Sequence, residues 1–210
     1  TGYPRTDILY SSNNEEEMGR LKEKLGLPKD KKVIMYAPTW RVRDKFELML
    51  DLEKMKEKFS DEYVLILRLH HFSAKGWKGV PADGFVYDLT DYESIEDLYI
   101  ITDILITDYS SVMFDYSILN RPMLFFAYDL EDYKENLRGF YFDFVNDIPG
   151  PISRDTDQLI KDIKEYKLKA MLERVRDMVE KRTIRMEDLI NEYKQTNDTK
   201  GEKHENILHE

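Results

Sequence analysis

Short apolar runs that alternate with amphipathic segments form the main pattern of this chain. The apolar runs predict strands at 33–37, 63–69, 85–87, 103–107 and 123–127. Apolar residues at three-to-four spacing predict helices at 15–25, 46–59, 94–101 and 111–119. Because helical segments, not two-residue hairpins, separate the strands, the pattern predicts an α/β fold. We expect a Rossmann-like parallel sheet with helices on both faces.

The same pattern divides the chain into four segments. Residues 1–28 have the turn-rich composition of an interdomain lead-in followed by a first helix, and 29–155 carry the predicted sheet. Residues 156–194 are highly charged with spaced apolar positions, which predicts C-terminal helices, and 195–210 are polar and predict a disordered tail. The chain begins at Thr1 without a signal-peptide pattern, so we expect a piece of a longer protein.

Charge and composition exclude several classes of function. The net charge is −10, and residues 93–150 hold three basic and twelve acidic side chains, which argues against nucleic acid as a partner. The chain has no cysteine, which excludes disulfides and thiolate metal sites. No apolar run approaches the roughly 20 residues of a membrane-spanning helix. No metal-ligand pattern is present, so we expect neither metal nor cofactor.

The end of the predicted strand at 103–107 offers the clearest candidate site. That strand runs into Ser110 and Ser111 at the start of a helix, where hydroxyls, backbone N–H groups and the helix dipole can bind phosphate. The same serines can instead be ordinary helix caps. Asp115, about one turn later, can accept hydrogen bonds from ribose hydroxyls, or can belong to a solvated helix face.

Three cationic or titratable residues lie in or after the first two predicted strands. Arg41 can clamp a pyrophosphate through two N–H groups, or can lie in an exposed basic loop. Arg68 lies inside the predicted apolar strand 63–69, where an unpaired charge is expensive, so its charge requires a buried aspartate or a ligand phosphate. His70, at the same strand end, can act as an acid or can be a polar loop residue. Successive strand residues point to opposite faces, so His70 and His71 cannot both face one cleft without a turn between them.

Several stretches together resemble the C-terminal half of the CDP-glycerol glycerophosphotransferases, which are the teichoic acid polymerases and primases of Gram-positive bacteria. The resemblance covers roughly residues 1–155, and the central block is specific to the family. The matching stretches are Gly2–Arg5, Tyr36–Arg41, Leu67–His70, Asp97–Tyr99, Ile106–Tyr116, Arg121–Pro122, Leu137–Tyr141 and Pro149–Pro151.

This resemblance implies the C-terminal half of a GT-B glycosyltransferase-type fold, with 29–155 as the nucleotide-donor-binding domain. It implies transfer of glycerol phosphate from CDP-glycerol to a teichoic acid chain or primer, with release of CMP. It assigns catalysis to His70, the diphosphate to Arg41 with Ser110 or Ser111, and the ribose to Asp115. Arg68 is the remaining substrate-binding candidate, and the loop after Tyr87 is implied to lie near the cytosine.

The resemblance also implies what this chain needs from elsewhere. Family members use a histidine in a His-Gly motif of their first domain, which has no counterpart here, so we expect the chain alone to bind donor and transfer poorly. The implied acceptor is lipid-linked polyglycerol phosphate at the cytoplasmic face of the bacterial membrane. We expect peripheral membrane attachment through segments outside this chain, because it lacks a polybasic patch.

Two other functions agree with the same residues. One is a sugar-nucleotide glycosyltransferase domain of GT-B type, and the other is a nucleotide-binding module without catalysis. The sequence leaves open whether the donor carries glycerol or ribitol, and whether the acceptor is a primer or a long polymer.

Overall fold

The computed structural model describes residues 6–41, 47–70, 77, 79–80, 83–137, 139–140, 142–167 and 169. Its helices are α1 Asp7–Ser11, α2 Glu15–Lys24, α3 Leu52–Phe59, α4 Ile95–Ile101, α5 Val112–Tyr116, α6 Leu130–Asp132 and α7 Phe144–Asp147. A 3₁₀ turn follows α5 at Ser117–Leu119, and a π-helical turn follows α6 at Tyr133–Leu137. Residues 156–167 are also helical.

A parallel sheet of six strands forms the centre of the described fold. The strands are β1 Lys32–Tyr36, β2 Tyr63–Leu67, β3 Val86–Asp88, β4 Ile104–Thr107, β5 Met123–Phe126 and β6 Ile152–Ser153. Their spatial order is β3-β2-β1-β4-β5-β6, and every neighbouring pair is parallel. This arrangement confirms the predicted α/β fold.

Alternate residues of each strand point to opposite faces of the sheet and build two cores. On one face, Val33 and Met35 of β1 pack with Leu21 of α2 and Leu98 of α4. On the other face, Ile34 and its neighbours pack with α3 and with apolar residues of the helical stretch 156–163. Because both faces of the inner strands are covered, β1, β2, β4 and β5 are nearly continuous apolar runs.

The predicted elements are present in the structure, but the bounds of two of them were wrong by more than one residue. The strand predicted at 63–69 ends at Leu67, so Arg68 directly follows β2. The predicted helix at 46–59 is wrong in its first part: α3 begins at Leu52, and residues 47–51 are not helical. Asp51 has an extended backbone and accepts a hydrogen bond from the Lys54 amide (3.0 Å), which fixes the start of the helix. The two-residue strand β6 and the short helices α1, α6 and α7 were not predicted.

The chain divides into two compact units, Thr1–Ile163 and Lys164–Glu210. Within the first unit, Leu9 of α1 and Leu21 of α2 are buried in the core, so the described part of the lead-in is integral to the domain. The division into four segments stays a prediction. Residues 1–5, and most of the C-terminal helices and tail, lie outside the described residues.

Candidate functional site

The strand order determines where a ligand can bind. The chain leaves β1 in one direction along the sheet and returns to β4 on its other side, so β1 and β4 form the switch point of the topology. In open α/β sheets, ligands bind at the carboxyl ends of the strands beside such a point. A cavity of about 210 Å³ lies there, lined by Pro38 after β1, Arg68 and His70 after β2, Thr90 after β3 and Ser110 after β4.

Hydrogen bonds beyond the strands hold this end of the sheet together. The Arg68 amide donates to the Tyr36 carbonyl (2.9 Å), which continues the β1–β2 pairing by one residue. The Thr107 hydroxyl donates to the Ala37 carbonyl (2.8 Å), which joins the ends of β1 and β4. The cavity walls are therefore direct extensions of the sheet and not independent loops.

Arg68 is half-buried and has no carboxylate partner among the described residues. Its Nη1 donates to the carbonyls of Leu89 (3.2 Å) and Thr90. Partial burial lowers the pKa of the guanidinium, although an arginine stays charged at neutral pH. Of the two partners expected from the sequence, a buried aspartate is not found among the described residues, where Asp91 and Glu96 act on Arg68 through their charge without an ion pair. A ligand phosphate stays a prediction.

His70 lies at the exposed rim of the cavity, two residues beyond Arg68. Its imidazole ring lies beside the Trp40 ring, with centroids 6.3 Å apart and planes inclined by 31°. This contact joins the segment after β2 to the segment after β1. His71 lies outside the described residues, so the preference for His70 over His71 stays a prediction.

The two serines differ in their surroundings. The Ser110 hydroxyl lines the cavity and accepts a long hydrogen bond from the Val112 amide (3.5 Å). Ser111 stands at the N-cap position of α5, but its side chain makes no capping hydrogen bond and is exposed. The capping alternative therefore does not describe the Ser111 side chain, but Ser111 does not line the cavity, and its contact with phosphate stays a prediction.

Asp115 is half-buried on α5, one turn beyond the serines. It does not line the cavity that Arg68, His70 and Ser110 share. The proposed contact with ribose stays a prediction.

Arg41 is the predicted site residue whose environment differs most from expectation. Its side chain is only 8% exposed and lies among acidic and aromatic side chains. Nε and Nη2 donate to the Asp129 carboxylate (2.8 and 3.0 Å), Nη2 also donates to Asp108 (3.0 Å), and Nη1 donates to the Thr39 carbonyl (2.8 Å). An exposed basic loop is thus excluded for Arg41, and its donors point mainly at protein acceptors. Arg43 and Lys45 lie outside the described residues.

Burial and ion pairing shift the pKa values of Arg41, Asp129 and Asp108 in opposite directions. Burial disfavours the charged form of Arg41, but the hydrogen bonds that it donates to Asp129 and the negative charge of the nearby Asp108 outweigh burial and raise the pKa of the guanidinium. Burial likewise opposes ionisation of Asp129, yet Arg41 holds the pKa of that carboxyl below its ordinary value. The pKa of Asp108 is raised, because its complete burial outweighs the contacts with Arg41 and Thr39.

Sequence reasoning missed Asp129 and the role of Asp108. Asp108 directly follows β4, and Asp129 follows β5 by three residues. A search of every strand end for carboxylates could have found both, because the carboxyl ends of parallel strands meet at one edge of the sheet. The pairing itself could not be predicted, since it joins residues 67 and 88 positions apart.

A second cavity, of about 380 Å³, lies away from the predicted site residues. Phe142 and Val145 give it apolar walls, and Lys134 and Arg154 add charge. In the described ranges, no group of three or more histidine or acidic side chains is arranged to hold a metal ion. None of the helices in those ranges is long and apolar enough to cross a bilayer.

Comparison with known proteins connects this geometry to a family. The sequence model of the family described as CDP-Glycerol:Poly(glycerophosphate) glycerophosphotransferase matches residues 1–198. The chain is 49% identical over 172 residues to the teichoic acid poly(glycerol phosphate) polymerase of Bacillus subtilis, which covers 79% of this chain and 23% of the relative. It is 43% identical over 192 residues to the teichoic acid glycerol-phosphate transferase of Staphylococcus aureus, covering 88% and 48%. The chain thus spans between about a quarter and a half of these relatives.

Solved structures of a teichoic acid polymerase are also similar to this chain. The structure of the wall teichoic acid polymerase TagF is similar with a TM-score of 0.71 and 44% identity, over 78% of this chain and 42% of that one. A histidine-to-asparagine variant of TagF, soaked with CDPG for 30 minutes, matches with a TM-score of 0.70 and 45% identity, over 78% and 40%.

A more distant structure bears on the fold alone. Escherichia coli ADP-heptose lps heptosyltransferase II has a TM-score of 0.52 at 13% identity, over 75% of this chain and 53% of that one. The parallel six-stranded sheet and these likenesses together confirm an α/β fold of GT-B type. By its sequence and its fold, the chain belongs to the CDP-glycerol:poly(glycerophosphate) glycerophosphotransferase family.

Proposed function

We propose that this chain is the donor-binding half of a transferase that moves glycerol phosphate from CDP-glycerol to a teichoic acid chain or primer. The observation that carries the proposal is the cavity at the β1–β4 switch point, which brings Arg68, His70 and Ser110 together. The relatives named as glycerol-phosphate polymerase and transferase, and the TagF variant soaked with CDPG, support the choice of donor.

The proposed reaction is a substitution at the phosphorus that carries glycerol. The acceptor hydroxyl oxygen bonds to that phosphorus, the bond from the phosphorus to the bridging oxygen breaks, and CMP leaves with the bridging oxygen. The hydroxyl proton passes to a base or to solvent. Phosphoryl transfer requires mainly positioning and stabilisation of charge on the phosphoryl oxygens.

The residues around the cavity can supply both requirements. Arg68 is a half-buried cation whose hydrogen bonds to described residues go to carbonyl groups, while Asp91 and Glu96 act on it through their charge without an ion pair. A bound diphosphate would give it a directly hydrogen-bonded anion. The hydroxyls of Ser110 and Ser111 donate to the same phosphates, and His70 at the rim stabilises or protonates the phosphoryl oxygens. Asp115 accepts from the ribose, and the loop after Tyr87 lies near the cytosine.

For Arg41 the structure supports a role different from the diphosphate contact that the resemblance implied. Most of its donors already point at Asp129, Asp108 and a backbone carbonyl. A bidentate grip on phosphate would require breaking these buried ion pairs, which is costly. We therefore assign the diphosphate to Arg68 and the serines.

The remaining partners belong to the same proposal. Transfer requires an N-terminal domain in addition to this chain, and the acceptor is lipid-linked polyglycerol phosphate at the cytoplasmic membrane face. A chain of net charge −10 should have little affinity for anionic lipid, so attachment lies in other segments. Co-sedimentation with anionic vesicles tests this: the chain should stay in the supernatant, and pelleting of most of it would refute the assignment.

Titration calorimetry of the 210-residue chain with CDP, CMP and UDP tests the donor site. We expect CDP to bind more tightly than UDP, and Arg68→Met to weaken CDP binding by about 10-fold or more, as expected when a charge-assisted hydrogen bond is lost. Arg20→Met is the matched control, because it removes the same charge from the exposed surface of α2. Equal binding of all three nucleotides at millimolar or weaker affinity would contradict the cytidine donor. Tighter binding of UDP would favour a sugar-nucleotide glycosyltransferase.

A further inference from the structure

We propose that Asp129 is a positioning residue: through Arg41 and Tyr109 it holds the segments after β1 and β4 in the arrangement that forms the phosphate-binding wall of the cavity. The proposal builds on the donor site assigned above, and it concerns a residue that does not line the cavity.

Asp129 is the point where three strand ends meet. Its side chain is 6% exposed and accepts hydrogen bonds from Arg41 Nε (2.8 Å) and Nη2 (3.0 Å). The same carboxylate accepts from the Tyr109 hydroxyl (3.1 Å). Arg41 follows β1, Tyr109 follows β4 and Asp129 follows β5, so this one carboxylate connects all three segments.

Arg41 extends the connection to the backbone of the site. Its Nη2 also donates to Asp108 (3.0 Å), and the other oxygen of that carboxylate accepts from the Thr39 amide (2.8 Å). Thr39 is the residue after Pro38, and Tyr109 is the residue before Ser110, and both Pro38 and Ser110 line the cavity. The network is thus one residue away from the cavity wall on both sides.

Aromatic packing restricts the network further. The Arg41 guanidinium carbon lies 5.0 Å from the centroid of the Tyr109 ring and 5.2 Å from that of Tyr133. These two rings are stacked, with centroids 3.9 Å apart. Tyr109 therefore has both its ring and its hydroxyl fixed, and the turn into Ser110 has little freedom while Asp129 is present.

The balance of charges in this network argues against direct binding of phosphate by Arg41. Two carboxyl groups, Asp108 and Asp129, face the single guanidinium of Arg41. The cluster therefore has no surplus of positive charge to offer a phosphate. Its contribution to an anion site is geometric, since placing donors about 1 Å out of position is enough to weaken a site strongly.

The test is whether the affinity of the chain for CDP rises or falls when Asp129 is replaced. If Asp129 acted only through its charge, Asp129→Ala would free Arg41 and raise the affinity of the chain for anionic CDP. If Asp129 positions the wall, the same variant should lower the affinity by about fivefold or more. Asp129→Asn keeps an oxygen acceptor at the same place and should fall between wild type and Asp129→Ala. Asp132→Asn is the control, because it removes one negative charge from an exposed carboxylate three residues away.

Hydrogen exchange followed by mass spectrometry gives a readout that needs no ligand. In Asp129→Asn and Asp129→Ala, the amides of 37–41 and 108–112 should exchange faster, while those of β2 keep their wild-type rates. Unchanged exchange at 108–112, or a rise in CDP affinity in either variant, would overturn the positioning role. If wild type fails to bind CDP while exchange changes as expected, the donor assignment is wrong, and Asp129 holds the segments after β1 and β4 together without serving a CDP site.

Discussion

Ser94 and Ser111 occupy the same position before a helix, but their hydroxyls do different things. Ser94 has an extended backbone (φ −93°, ψ 110°), and its Oγ accepts from the Asp97 amide (3.1 Å). Ser111 already has helical angles (φ −63°, ψ −9°) and forms no such bond. A capping side chain requires an extended backbone at the cap residue. The sequence shows a serine before a helix in both cases, so only the structure separates the two roles.

This difference predicts opposite effects of the same substitution. Ser94→Ala should lower the free energy of unfolding by about 1 kcal/mol and leave CDP binding unchanged. Ser111→Ala should leave the free energy of unfolding unchanged and weaken CDP binding. Urea denaturation and calorimetry measure the two quantities. Loss of stability in Ser111→Ala with CDP affinity intact would restore the capping interpretation.

His70 is the residue to which we assign chemistry. In a protein that joins this chain to the N-terminal domain of the family, His70→Ala should lower turnover by about 10² to 10⁴-fold while donor affinity changes little. His71→Ala is the control and should have a much smaller effect. Single-turnover rates measure the loss of chemistry in each variant, and thermal midpoints measure any loss of folding stability. A folded and fully active His70→Ala protein would remove this residue from the mechanism.

The roles of Arg68 and Arg41 could be predicted from the sequence to different extents. The sequence identified Arg68 as a charge that needs a partner, because it lies inside a predicted apolar strand, and in the structure Arg68 lines the cavity. It also singled out Arg41, but the partners of Arg41 come from two other strand ends. Local sequence carries no information about such long-range pairs, so an arginine that binds phosphate and one that binds carboxylates look the same.

At the scale of elements, strands with strong apolar character were predicted well, the short strand β3 was predicted to within one residue, and β6 was not predicted. β1, β2, β4 and β5 are buried along most of their length, and each corresponds to a continuous apolar run. β6 has only two residues, Ile152 and Ser153, which is too short for any periodicity. It forms because the preceding turn brings it beside β5, where Phe125 pairs with Ile152.

Gly150 allows that turn to approach the sheet. A Cβ atom at this position would lie 2.0 Å from the Met123 carbonyl oxygen, which belongs to the backbone of β5. The backbone cannot yield as a flexible side chain would, so any larger residue must push β6 away from β5. The glycine is required here by close packing.

Gly150→Ala should therefore lower the free energy of unfolding by about 1 to 3 kcal/mol, the usual cost of overpacking. Gly19→Ala is the contrasting variant, because Gly19 lies inside α2 and nothing is within 4 Å of an added Cβ. It should raise stability by about 0.5 to 1 kcal/mol through helix propensity. Chemical denaturation of both variants measures the difference, and equal effects would show that the close approach at Gly150 is not rigid.

At the scale of the whole molecule, the alternation of strands and helices predicted a parallel sheet but not the order of its strands. That order, β3-β2-β1-β4-β5-β6, is decided by which helix covers which face and therefore by contacts far apart in sequence. It is also the feature that creates the site, because it brings the ends of β1, β2 and β4 together. The candidate site residues could be identified from the sequence, but their closeness in space could not be predicted from it.

Titration of the isotope-labelled chain with CDP-glycerol, followed by amide NMR, shows whether the donor binds at the carboxyl ends of β1, β2 and β4. We expect the largest shifts at 68–70, 90 and 110–112, around the cavity of about 210 Å³. Arg68→Met should abolish these shifts at the same ligand concentration, while Arg20→Met should retain them. Shifts confined to 130–145, around the larger cavity of about 380 Å³, or no shifts at millimolar CDP-glycerol, would contradict donor binding at these strand ends.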